Sequence, residues 1–146
     1  MIAIGCDHGG FQLKCSIVKY LKENNIEFTD VGTFDENSVD YPDIAKLVCK
    51  KILDKECDKG ILICGTGIGI SISANKFNGI RAALCSDTFS AEFTRKHNDA
   101  NVLCMGGRVT GPGLAVKITE TFLNNEFEGG RHMRRLEKIA EIEKEN

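Results

Sequence analysis

Short apolar runs alternate along the chain with longer segments in which apolar residues recur every three or four positions. The first pattern marks strands buried on both faces, and the second marks amphipathic helices. Ile2 to Cys6 reads as strand one, and Leu13, Ile17, Tyr20 and Leu21 share one helix face after Gly9 and Gly10. Glu27 to Val31 reads as strand two. The polar stretch 33–40 leads to Pro42, which suits a first helical turn, and Ile44, Leu47, Val48 and Ile52 follow at helical spacing. Ile61, Leu62 and Ile63 form strand three, which ends at Cys64, and a helix follows the glycines beyond it. Ile80 to Leu84 is strand four, after which Asp87 caps a helix bearing Phe89 and Phe93 one turn apart. Val102 to Met105 is strand five, and Pro112 opens a helix with Leu114, Ile118 and Phe122. A last helix covers 131–144, with Met133, Leu136, Ile139 and Ala140 on one side. Strands separated so regularly by helices predict a three-layer α/β/α sandwich with a five-stranded, mainly parallel sheet and a C-terminal helix.

Composition narrows the class. The 146 residues suffice for a single domain, 1–146, that buries about two-thirds of its unfolded surface. A net charge of -2 leaves no basic excess for displacing counterions from nucleic acid. No apolar run approaches the ~20 residues that span a membrane, and the N-terminus lacks the pattern of a signal peptide. The seven cysteines (Cys6, Cys15, Cys49, Cys57, Cys64, Cys85 and Cys104) are odd in number and include no Cys-x-x-Cys pair. They fit neither a disulfide scaffold nor a zinc ribbon, so most are expected to be small core residues in a reducing compartment, the cytoplasm.

The candidate chemistry gathers at strand tips. Cys64 ends strand three and faces Gly65, Thr66, Gly67, Ile68 and Gly69, a loop rich in bare N–H groups that opens a helix. The helix dipole and the Thr66 hydroxyl both favour a thiolate at that place. Position 70 is isoleucine and no Gly-Lys-Ser/Thr follows, so the loop is neither a dinucleotide fingerprint nor a P-loop. Ligands of open parallel sheets bind beyond the carboxyl ends, where strand order reverses. If strand one lies between strands two and three, Cys6-Asp7-His8-Gly9-Gly10 meets the Cys64 loop there. His97 and Asn98 fall between the fourth helix and strand five, at the amino edge. Arg131, Arg134, Arg135 and Lys138 form a stripe on the last helix. Arginine at a helix start opposes the dipole and suggests an anion, which Arg131 and Arg135 could grip as a fork, with Arg108 as a third contact.

Several segments in order resemble the B-type ribose-5-phosphate isomerase family, which also includes galactose-6-phosphate isomerase subunits. They are Gly5-Cys6-Asp7-His8, Asp40-Tyr41-Pro42, Ile63 to Ser71, Ala74-Asn75-Lys76, Gly79-Ile80-Arg81-Ala82, His97 to Asn101 and Glu128-Gly129-Gly130-Arg131-His132. The resemblance implies a Rossmann-like fold, with its five-stranded parallel sheet, in a dimer, sometimes paired into tetramers, that interconverts ribose 5-phosphate and ribulose 5-phosphate with no metal and no cofactor. Family members use a cysteine or a glutamate as base. Cys64 puts this chain with the cysteine type, and Ser73 lies near the glutamate type's base position. The family's ring-opening acid corresponds to His97. Asp7 would position a hydroxyl or assist proton transfers, and Cys64, tuned by Thr66, would move the proton. The N–H groups of residues 65–69, with Asn98, would face the developing enediolate charge, while His8, Arg108, Arg131 and Arg135 hold the phosphate. With His97 and Asn98 at the edge opposite Cys64, each site is expected to be shared between two subunits. The alternatives are an isomerase of allose or galactose 6-phosphate, or a non-catalytic phosphosugar-binding module.

Overall fold

The most apolar runs become the three central strands of the computed structural model, which describes residues 1–146. They are β1 (Ile2–Cys6), β3 (Lys59–Cys64) and β5 (Val102–Gly106), while β2 (Phe28–Asp30) and β4 (Ala82–Leu84) form the edges. Every pairing is parallel and the order is β2-β1-β3-β5-β4. Six helices complete the chain: α1 (Phe11–Glu23), α2 (Tyr41–Leu53), α3 (Ile68–Ala74), α4 (Thr88–Asn98), α5 (Pro112–Asn124) and α6 (Arg131–Lys144).

Alternation along the strands assigns the layers. Ile61, Ile63, Leu103 and Met105 pack with Leu13, Ile17 and Leu21 of α1, Ala91 of α4, and Ile118 and Phe122 of α5. Leu62, Cys64, Val102 and Cys104 face the other way, onto Ile44, Ala45, Val48 and Cys49 of α2 and Ile70 and Ala74 of α3. The chain leaves β1 toward β2 on one side and builds β3, β5 and β4 on the other. The crevice between the carboxyl ends of β1 and β3 is therefore the switch point.

Three details depart from the sequence pattern. Strand four starts at Ala82 rather than Ile80, because the Ile80 N–H bonds Phe77 O and the Arg81 N–H goes to the Asn101 side chain at 2.8 Å. Leu47 and Leu114 point outward, and the buried faces of α2 and α5 are carried by their neighbours Ala45, Val48, Ala115 and Ile118. On α6 only His132 is buried, which leaves Met133, Ile139 and Ile142 uncovered in the single chain. No helix is long and apolar enough to cross a membrane.

Candidate active site

Three loops meet at the switch point, from the carboxyl ends of β1, β3 and β5. The Asp7 N–H donates to Ile63 O (3.1 Å), Gly107 N–H to Cys64 O (2.8 Å) and Arg108 N–H to Gly65 O (2.9 Å). The backbones approach so closely that a Cβ on Gly107 would stand 2.5 Å from Gly9 O. Gly67 has φ +79°, and a Cβ there would lie 2.8 Å from the Met105 carbonyl carbon. That left-handed residue turns the strand end into α3.

Cys64 is buried, and its Sγ accepts the Gly67 N–H at 3.1 Å. Cys6 and Cys49 do the opposite, donating their S–H groups to carbonyl oxygens of Thr33 and Ala74. Burial pushes the Cys6 thiol up to about 11 and Cys49 up to about 12, and it also raises Cys104 well above the ordinary thiol value. A sulfur that accepts from N–H is the arrangement an anionic sulfur prefers. The Thr66 hydroxyl, expected from sequence to tune Cys64, instead accepts the Ile68 N–H at 3.2 Å, so the direct donor to sulfur is Gly67.

Asp7 is buried and its Oδ1 accepts the N–H groups of Gly9 (2.9 Å) and Gly10 (3.2 Å), capping the tight turn His8–Gly10. His8 is half-buried, with Nδ1 accepting the Val39 N–H at 3.3 Å. Arg108 is exposed and forms no ion pair within the chain; its guanidinium stands against Gly65, where a Cβ would lie 3.1 Å from Nη1. Tyr41 also belongs here, since a Cβ on Gly69 would come within 2.9 Å of its hydroxyl. Sequence reasoning placed Tyr41 in a motif but not in the site; only the fold of α2 onto the glycine loop reveals it.

His97 and Asn98 lie at the other end of the sheet. The turn that follows them bonds the start of β3, with Gly60 N–H donating to Asn101 O at 2.8 Å. Cys64 ends the same strand, roughly 13 Å further along. The His97 ring stacks on His132, with centroids 4.1 Å apart and planes 16° from parallel, and its Nε2 is 3.9 Å from Glu128 Oε1. Burial, the neighbouring His97 and Arg131 hold the His132 imidazole below its ordinary value. Because His132 lies in the first turn of α6, Arg131 and Arg135 travel with His97 and not with Cys64. One chain thus presents two half-sets. Asp7, His8, residues 64–69 and Arg108 stand at one edge, and His97, Asn98, Arg131 and Arg135 at the other.

Comparison with known proteins gives this arrangement its class. The ribose/galactose isomerase family model matches residues 2–139, and the chain belongs to that family of aldose–ketose isomerases. Ribose-5-phosphate isomerase B of Escherichia coli K12 is 52% identical over 142 residues, which cover 97% of this chain and 95% of that one. The structure of Clostridium thermocellum ribose-5-phosphate isomerase B superposes with a TM-score of 0.97 at 53% identity, covering 99% of this chain and 97% of that one. The Mycoplasma genitalium ribose-5-phosphate isomerase B structure, with bound ribulose-5-phosphate, gives 0.93 at 43% identity over 99% of this chain and 97% of that one.

Proposed function

We propose that this isomerase interconverts ribose 5-phosphate and ribulose 5-phosphate, with Cys64 as the base and each active site shared by two subunits. The observation that carries the reading is the Cys64 sulfur, at the switch point, accepting an N–H. The similarity to ribose-5-phosphate isomerases along nearly the whole chain supports the substrate.

The reaction begins with a closed aldose ring. The partner subunit's His97 protonates the ring oxygen while the Asp7 carboxylate takes the proton of the C1 hydroxyl, the bond between C1 and the ring oxygen breaks, and the free aldehyde forms. Cys64 thiolate then takes the C2 proton, and the electron pair moves through C1–C2 onto O1. The backbone N–H groups of residues 65–69, with Asn98, face that charge; one such donor is typically worth about 10²–10³ in kcat. A proton passes from O2 to O1, aided by Asp7. The Cys64 thiol returns its proton to C1, leaving a C2 ketone. Aldose and ketose are isomers, so electrons balance without a redox partner. His8 and Arg108, joined by Arg131 and Arg135 across the interface, hold the phosphate and fix C1–C2 against sulfur.

Sharing follows from the two half-sets at opposite edges. It is supported by Met133, Ile139 and Ile142 of α6 and by Ile68, Ile72 and Phe89, all apolar and exposed in the single chain. Seven free cysteines fit the reducing cytoplasm, where we place the enzyme. Two experiments test the reading. Ribose 5-phosphate, allose 6-phosphate and galactose 6-phosphate are assayed side by side, with the pentose expected to have the highest kcat/KM. Cys64→Ala and His97→Ala chains, each inactive alone, are co-expressed; mixed dimers regain one intact site, whereas no recovery would refute sharing.

A further inference from the structure

The least expected side chain in α1 is Lys14, which is only 2% exposed although it sits in a helix whose other lysines face water. Its Nζ reaches across to the end of β2 and the connection that follows, lying 2.7 Å from Asp30 Oδ1 and 2.5 Å from Thr33 O. The Phe34 ring covers it, with the centroid 4.9 Å from Nζ. Asp30 Oδ1 also accepts the Gly32 N–H at 2.9 Å, and Gln12 of the same helix bonds Glu36 at 2.5 Å. A buried ammonium with a carboxylate and a carbonyl as partners costs too much desolvation to be an incidental contact. It ties the connection 33–40 to the start of α1.

That connection ends beside the site. Val39 N–H donates to His8 Nδ1 at 3.3 Å. An imidazole nitrogen that accepts an N–H carries no proton, so in neutral His8 the proton resides on Nε2, which no group of the chain engages. His8 is thereby a hydrogen-bond donor at Nε2, the polarity a phosphoryl oxygen requires. The hydrogen bonds of the Lys14 ammonium go to Asp30 and Thr33, neither of them a candidate phosphate contact.

We infer that Lys14 is a positioning residue for phosphate recognition: by anchoring the connection 33–40 it sets the Val39 N–H that holds His8 as the Nε2–H donor. The inference rests on the proposed function for His8 as a phosphate contact, and it adds the device that orients His8. The loop and the imidazole act as one unit, so loosening Lys14 lets His8 rotate and exchange tautomers without disturbing Cys64.

Nitrogen–proton correlation spectra of the histidine rings test this directly, with the His8 signals assigned by their loss in His8→Gln. The wild type shows Nε2–H, and Lys14→Met shows a mixture of tautomers. Inorganic phosphate, as competitive inhibitor, binds about tenfold more weakly to Lys14→Met, and KM rises by a similar factor while kcat stays within about twofold. The double variant Lys14→Met/Asp30→Asn removes the orphaned carboxylate and gives the same shifts if the single variant folds poorly. An Nδ1–H signal in the wild type overturns the inference, as do folded variants with wild-type phosphate binding. Wild-type protein that binds phosphate but does not convert ribose 5-phosphate would refute the substrate assignment alone, since the tautomer and phosphate results stand apart from turnover.

Discussion

Replacing Gly67 by alanine isolates the contact on which the Cys64 reading depends. The residue has φ +79°, where an L side chain costs about 1–2 kcal/mol. The added Cβ would also meet Leu84 Cδ1 at 2.5 Å and the Met105 carbonyl carbon at 2.8 Å. The leucine tip can swing away, but the β5 backbone cannot, so the Gly67 peptide must move and its N–H leaves the sulfur 3.1 Å away. A hydrogen bond to a charged group is worth about 1.5–3 kcal/mol, which corresponds to a loss of about tenfold to a hundredfold in kcat/KM. The strain lowers stability by a further ~2 kcal/mol. The assay is isomerisation together with the rate of Cys64 alkylation by iodoacetamide, read by peptide mass spectrometry in a Cys15→Ser background because Cys15 is the one exposed thiol and would compete for the reagent. Both rates fall together. Gly113→Ala, where an added Cβ meets nothing within 4 Å, is the control and leaves both unchanged. A Gly67→Ala protein that alkylates and turns over within twofold of wild type would refute the reasoning.

The buried thiols make stability depend on alkali. Cys6 and Cys85 are raised from 9.0 to about 11 and Cys49 to about 12, so the folded chain keeps protons the unfolded chain loses. Their contribution is complete below pH 9 and is lost as pH climbs through 9 toward 11 for Cys6 and Cys85 and toward 12 for Cys49, and a falling urea midpoint between pH 8 and pH 10 would report its onset. Asp87 caps α4 by accepting the Ser90 N–H at 2.6 Å. Asp87→Ala should therefore cost about 1 kcal/mol and roughly 3 °C in Tm. Heat-unfolding scans check that, and an unchanged Tm would mean the cap is dispensable.

The central strands were legible because burial on both faces turns them into continuous apolar runs, and parallel pairing then dictates the intervening helices. Edges were less so. Ile80 and Arg81 look like strand residues, yet their N–H groups are taken by the preceding turn and by Asn101. In the site, Cys64, Asp7 and His8 declared themselves by standing at strand ends beside glycines. Tyr41 and Lys14 did not. Tyr41 opens a helix far from Gly69 in sequence, and Lys14 occupies a helix position where lysine is ordinarily solvated. Only the β2–α2 connection folding back over α1 shows that its ammonium is enclosed. The apolar residues of α6 read as one face from their spacing, but a single chain leaves Met133 and Ile139 of that face exposed.

The most direct test of the account follows the hydrogen itself, using ribose 5-phosphate deuterated at C2 and proton NMR. Wild-type protein should move the label to C1 or release it to solvent, while Cys64→Ala, saturated with the same sugar, should do so at least about 10³-fold more slowly. Label leaving C2 in Cys64→Ala within tenfold of the wild-type rate would show that another group abstracts the proton.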